Sequence, residues 1–234
     1  DQLVILYPYL QPEENEELFV QKYRKYVETH INNVKQSFDW ISSNCPEVFA
    51  DCDMEYLSKE IDEHDLSKYS YKEFSISEKN YTGYQSPLLT ERRNNGMFSE
   101  CFVHHTNKNK HHFEYYIDYF GGDVILKIMP YKYNLEYVID VISASKTYNG
   151  KKFNNHMPYE YFNSKNKKYL MHPASKEFVL VCLKKFSEDG FKHLKKKDTK
   201  KLYEDIKKRY SLTYKVPFYS INNKYDFIEI TKPW

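Results

Sequence analysis

Residues 54–68, MEYLSKEIDEHDLSK, decide how this chain is read. Met54, Leu57 and Ile61 recur at gaps of three and four, the spacing of one helical face, and Asp53 ahead of them is a residue type that caps helix N-termini. The apolar stripe runs out on His64-Asp65, so an imidazole and a carboxylate arrive together at the buried end of a helix, with Lys68 one turn further on. Burying such groups alone is costly because each loses its hydration. Other segments should therefore supply partners.

Upstream, Val20, Tyr23, Val27, His30, Val34, Phe38 and Ile41 recur at helical spacing between Glu16 and Ser43, which puts His30 on the inward face. Cys45-Pro46 stops that helix, since proline lacks an N–H and its ring clashes with the preceding turn. Downstream, residues 67–95 are polar and broken by Gly83 and Pro87, and read as a long loop with one helical turn at most. A third helix is expected from about Met97, with Phe98, Phe102 and His105 in step; HHFEYYIDYF (111–120) continues or restarts it, and Gly121-Gly122 ends it. A fourth helix, about Tyr133 to Tyr148, turns Leu135, Val138, Ile139 and Ile142 to the core and sets Glu136, Asp140 and Ser143 side by side. Residues 150–172 read as loop, and Pro173 to Ser187 as a fifth helix with Phe178, Val181, Cys182 and Leu183. Lysines dominate 192–208, a solvated helix or linker, and YKVPFYSINNKYDFIEI alternates like a hairpin or strand-like arm. The expected fold class is an all-α helical bundle over 1–190, followed by a lysine-rich helix and C-terminal arm over 191–234.

Composition narrows the function classes. With 41% hydrophobic residues in 234 the chain can bury a sizeable core. Lys plus Arg number 35 against 33 Asp plus Glu, so no global field gathers nucleic acid, and acidic residues interrupt the lysine run. Four cysteines without CxxC spacing read as reduced thiols, and no stretch approaches the roughly 20 apolar residues of a membrane span, so a cytoplasmic protein is expected. The 24 tyrosines are spread over every segment and carry no functional signal.

A core-facing histidine is, taken singly, more often a packing residue than a ligand. Here His30, His64 with Asp65, His105, His112 and Asp140 are all expected inward, and a divalent cation (Mn, Fe, Zn, Co or Ni, one ion or two) would offset the cost of burying them together. Asp140 has a rival reading as an ion-pair partner of Lys146 or Arg24. His156, His172 and His193 sit in loop or lysine-rich contexts and are read as non-ligands.

The order His30, His64-Asp65, further histidines, Asp140 resembles the HD superfamily of metal-dependent phosphohydrolases. HDLSK (64–68) resembles their HD-x-x-K string, and HHTNKNKHHFEYY (104–116) their extra histidines. HDLSKYSYKEF, the two HH pairs with NKHHFEYY, and MPYKYNLEYVID are also similar to a family of small bacterial and phage proteins with no established activity; Lys110 and Tyr116 depart from its usual proline and tryptophan. The resemblance covers about Tyr23 to Thr147 and implies a helical metal site that hydrolyses a small phosphorylated substrate, a nucleotide among the candidates. In that reading Lys68 faces the phosphate, and whichever of His104 and His111 does not ligate protonates the leaving oxygen. Glu114 and Asn33 would orient ligand histidines. Two other classes compete: a di-iron oxygenase on the same architecture, and a non-catalytic, metal-stabilised binding or inhibitor protein whose Tyr69–Tyr84 segment and C-terminal arm recognise a partner.

Overall fold

The computed structural model describes residues 14–83, 86–192 and 199–217. It is mostly helical, with one small sheet. Helix α1 (Glu14–Asn44) ends before Pro46, and α2 (Met54–Asp62) starts where Asp53 Oδ1 accepts from the Tyr56 N–H at 3.0 Å, the capping expected from sequence. Two helices, α3 (Tyr71–Asn80) and α4 (Pro87–Asn94), occupy the segment read as loop. The buried face of α3 includes Glu73, Ser75, Ser77 and Glu78 beside Phe74, so an apolar period was not there to be seen.

Helix α5 (Glu100–Lys108) begins later than expected. Ser99 caps it by accepting from the Phe102 N–H at 2.9 Å. The Glu91 carboxylate accepts from the Ser99 hydroxyl and from the Glu100 N–H at 2.8 Å, placing negative charge at the helix N-terminus. Phe98 therefore lies outside the helix and is 54% exposed.

The run HHFEYYIDYF does not continue that helix. Its last residues form β1 (Ile117–Phe120), which pairs antiparallel with β2 (Asp123–Lys127) across Gly121 and Gly122, both at positive φ (62° and 86°). Two consecutive positive-φ residues make the kind of tight turn that matches strand twist, so the glycine pair closes a hairpin and not a helix. β3 (Thr213–Pro217) adds antiparallel to β2, giving the order β1-β2-β3. It supplies the strand-like arm of the sequence reading; the rest of the tail, from 218, lies outside the described residues.

Helix α6 (Tyr131–Asn149) lies against α1 and ends at Gly150 (φ 49°). The stretch after it holds α7 (His156–Lys165), which replaces the expected loop. α8 (Pro173–Asp189) carries proline at its start and left-handed Gly190 at its end. α9 (Thr199–Lys207) is the helical part of the lysine run, whose residues 193–198 lie outside the described set. Among the described residues no helix is long and apolar enough to cross a membrane.

One large hydrophobic cluster joins α1, α2, α6, α8 and α9, from Val34 and Ile41 through Leu135 and Ile139 to Phe178, Leu183, Tyr203 and Ile206. The C-terminal segment thus packs into the same core, and the Tyr203 hydroxyl donates to the Met129 carbonyl at 2.7 Å. A smaller cluster, Tyr23, Val27, Ile31 and Phe74, joins α1 to α3. His30 sits on α1 among the residues that feed the smaller cluster, between Val27 and Ile31.

Candidate metal centre

Four separate segments converge on Asp65. α1 brings His30, the link after α2 brings His64-Asp65, α5 and the turn after it bring His105, His111 and His112, and α6 brings Glu136 and Asp140. Asp65 has a left-handed backbone (φ 58°, ψ 12°), unusual for a residue with a side chain and cheapest for Gly, Asn and Asp.

The two oxygens of Asp65 face two sets of imidazoles. Oδ2 lies 3.1 Å from His30 Nε2 and 3.6 Å from His64 Nε2; Asp140 Oδ1 lies 3.2 Å from His30 Nε2 and 3.7 Å from His64 Nε2, and groups with His64 and His111. Oδ1 lies 3.2 Å from His105 Nε2 and 3.5 Å from His111 Nε2, and His112 Nε2 is 2.9 Å from His105 Nε2. Tetrahedral ligation at the usual bond lengths of about 2.0–2.2 Å sets ligand atoms roughly 3.3–3.6 Å apart. The observed separations, from 2.9 to 3.7 Å, bracket that range on either side of one carboxylate.

Tautomers support the same reading. His64 Nδ1 and His111 Nδ1 donate to one acceptor, Glu136 Oε1, at 2.9 and 3.0 Å, and their rings stack with centroids 4.2 Å apart. His105 Nδ1 donates to Glu73 Oε2 at 2.8 Å. In its neutral form each of these rings therefore presents the lone pair of Nε2 to the anionic Asp65. Lone pairs facing a carboxylate repel unless a cation or proton lies between, and His64 Nε2, His111 Nε2 and Asp65 Oδ1 are buried with no hydrogen-bond partner. The buried groups can hold a metal ion, and their donor set of imidazoles and carboxylates suits divalent transition metals.

With no cation, protons take its place. Burial opposes charge on His64, but Asp65, Asp140 and Glu136 outweigh it and push the pKa up to about 10. His105 rises in the same way to about 9, driven by Asp65 and Glu73 against burial. Burial, reinforced by His111 and His105, holds His112 well below its usual value. Burial would raise the carboxylates, yet Asp65 and Asp140 are held well below the normal range by their cationic neighbours, and Glu136 falls to about 2 against His111 and His64. Lys68 Nζ sits 2.6 Å from Asp65 Oδ2, which raises the lysine pKa against burial.

The residues singled out from sequence distribute as follows. His30, His64, Asp65, His105, His112 and Asp140 all lie in the centre, as does His111, whose side chain is 2% exposed with both ring nitrogens directed at carboxylates. A free proton donor for a leaving group is thus not found at His111. His104 lies outside the ligand groups, its side chain 22% exposed and its Nδ1 on Glu73 Oε1 at 2.7 Å. Asp140 faces His30 and His64, while Lys146 donates to Ser37 Oγ at 2.9 Å, so the Lys146 pairing is not formed; Arg24 lies over the Phe74 ring. Asn33 donates to Thr147 Oγ1 at 2.9 Å, not to a ligand histidine, and Glu114 Oε2 is 3.8 Å from His112 Nδ1. Burial raises the Glu114 pKa to about 7. His172 caps α8 and donates to the Ser211 carbonyl at 3.0 Å, His156 meets Ser187 Oγ at 2.8 Å, and His193 lies outside the described residues.

Sequence reasoning missed Glu73 and Glu136 as the carboxylates that orient ligand rings. Glu136 was visible as the residue one turn before Asp140; Glu73 was hidden in a segment without apolar period. Beside the centre opens a cavity of about 860 Å³ whose lining includes His112, Asp140 and Glu114. Residues 20–185 match a family model described as a family of unknown function (DUF5662). No curated protein and no solved structure matches the chain.

Proposed function

Because the chain belongs to DUF5662, a family of unknown function, the chemistry of its site has to carry the reading, and we propose a divalent-metal-dependent phosphohydrolase acting on a small phosphoester, nucleotides included. The observation that supports it is the division of the Asp65 carboxylate between two imidazole-rich groups, each of which could hold an ion. Such ions, when bound, lower the pKa of coordinated water to about 7 and polarise phosphate oxygens.

The chain's own residues have distinct tasks in this reading. His30, His64, Asp140, His105, His111 and His112 hold the ions, and Glu136 and Glu73 fix ring orientation so that Nε2 stays unprotonated and aimed inward. Lys68, paired with Asp65 Oδ2, would turn its compact positive charge toward a phosphate oxygen at the edge of the centre. His104, held by Glu73 and partly open to solvent, is the histidine left over for proton transfer to a leaving oxygen.

Protein loaded with Mn, Fe, Co, Ni or Zn should release phosphate from part of a panel of nucleotides and simple phosphoesters, and Asp65→Asn should abolish release by at least about a hundredfold, since it removes the charge between the ions. Two bound equivalents of metal with no release from any substrate would overturn the proposal. Five imidazoles against two carboxylates also suit iron, so the iron-loaded protein is exposed to oxygen in parallel. A mixed-valence iron signal with substrate oxidation would assign the centre to oxygenase chemistry instead.

A further inference from the structure

The cavity beside the centre has a lining that metal ligation does not use. It is large for a phosphate alone, at about 860 Å³, and much of its wall is aromatic: Phe102, Phe113, Tyr137, Tyr148, Tyr161 and Tyr169. Phe113 and Tyr169 lie with ring centroids 5.2 Å apart, while Tyr148 and Tyr161, 56% and 59% exposed, offer ring surface to an incoming molecule. Flat aromatic surface at a site mouth favours planar partners, because stacked and edge-to-face pairs are stabilised beyond the area they bury.

Its charges are uneven. Arg92 is the sole Lys or Arg among the described lining residues, against the carboxylates Glu114 and Glu160 and the ligand Asp140. The Arg92 guanidinium stands over the Phe102 ring, 4.7 Å from its centroid, and has no hydrogen bond or ion pair among the described residues. Its charge reaches Glu114 only at a distance. A guanidinium placed on an aromatic face and left without an acceptor keeps its N–H donors for a ligand oxygen. One such cation against several carboxylates welcomes one anionic group and repels a second.

We propose that Arg92 and this aromatic wall form a subsite for a planar ring bearing a single anionic oxygen group, next to the metal centre. As substrate recognition this rests on the phosphohydrolase reading, which then narrows to phosphoesters of ring-bearing molecules with one further acidic group, such as carboxyaryl phosphates. As a binding site it is separable from that reading. Phe102 supports the guanidinium, and Arg92 acts as a specificity determinant that touches the part of the substrate remote from the reacting bond.

The test is calorimetry on manganese-loaded protein with probes that ligate metal poorly. Benzenesulfonate carries the ring and one anionic group; methanesulfonate carries the anionic group alone. Benzenesulfonate should bind at least about tenfold more tightly, and Arg92→Gln should weaken it by about tenfold or more, the range of a desolvated charge-assisted contact. Tyr161→Leu, at an exposed position where folding is safe, should weaken it about threefold. Circular dichroism and metal content check that Arg92→Gln is folded and loaded. Equal binding of the two sulfonates, or an unchanged affinity in folded Arg92→Gln, would overturn the subsite. If benzenesulfonate binds through Arg92 while no phosphoester is hydrolysed, the subsite stands and the phosphohydrolase reading falls. If 4-carboxyphenyl phosphate is hydrolysed no better than phenyl phosphate, and Arg92→Gln leaves that ratio unchanged, the assignment of Arg92 to substrate recognition fails though hydrolysis survives.

Discussion

Glu136→Gln should weaken both halves of the metal centre at once. One oxygen, Oε1, accepts from His64 Nδ1 at 2.9 Å and from His111 Nδ1 at 3.0 Å; His64 groups with His30 and Asp65, His111 with Asp65, His105 and His112, and the two rings also share a third group with Asp140. A buried hydrogen bond to a charged acceptor contributes about 1.5–3 kcal/mol, and a neutral one about 0.5–1.5 kcal/mol. Glutamine keeps the acceptor and loses the charge, so each imidazole gives up about 1–1.5 kcal/mol of support for its lone-pair-inward tautomer. At 1.4 kcal/mol per decade, each ion should bind about tenfold more weakly. Glu73→Gln is the control, because Glu73 serves His105 and the outlying His104 and should lower affinity on one side only. Zinc titrations against a chromophoric chelator that resolve two equivalents measure both variants. Two affinities in Glu136→Gln within twofold of the parent, or a fall in only one of them, would refute the reasoning that a shared carboxylate couples the sites.

Three further outcomes follow from the same geometry. His111→Ala should cost at least about tenfold in metal affinity, as loss of a ligand does, while His104→Ala should change it less than about threefold, by the same titration. In chelator-treated protein the raised pKa values of His64 (about 10) and His105 (about 9) lie above the unfolded value near 6.5. Their contribution to stability is therefore complete below that unfolded value and is lost as pH climbs through 9 to 10; urea midpoints should fall over that window, whereas metal affinity should rise with pH because binding expels those protons. A flat urea midpoint between pH 7 and 10 would contradict the assignment. Phe178→Ala empties a fully buried position in the main cluster and should lower stability by about 3–5 kcal/mol in denaturant unfolding, with metal affinity unchanged.

How much of this could be read beforehand depended on whether a buried face was apolar. His30 and Asp140 lie on helices whose inward faces carry enough aliphatic and aromatic residues to show a period, so α1 and α6 located them, and the adjacent His64-Asp65 followed from the stripe of α2. α3 escaped because its buried face is largely polar: Glu73 is inside since two imidazoles meet it, a tertiary fact with no local trace. The hairpin stands where a helix is expected, although its signal is in the sequence. Gly121-Gly122 between FEYYIDYF and DVILK is a two-residue turn flanked by strand-forming residues, and the preceding helix drew the assignment away from it. The division of the histidines between ligation and other work depended on the bend after α5, which turns His111 and His112 toward Asp65 and leaves His104 facing outward.

The left-handed backbone at Asp65 gives that position an alphabet of one letter. Only Gly, Asn and Asp occupy such a conformation cheaply, and of these Asp alone can offer an anionic oxygen to each side. Glutamate, the usual conservative exchange, would meet both a torsional penalty and a longer reach, so the fold itself vetoes the substitution that the chemistry would otherwise permit. Asparagine is then the cleanest probe available to the experimenter: it leaves the turn undisturbed and silences the charge.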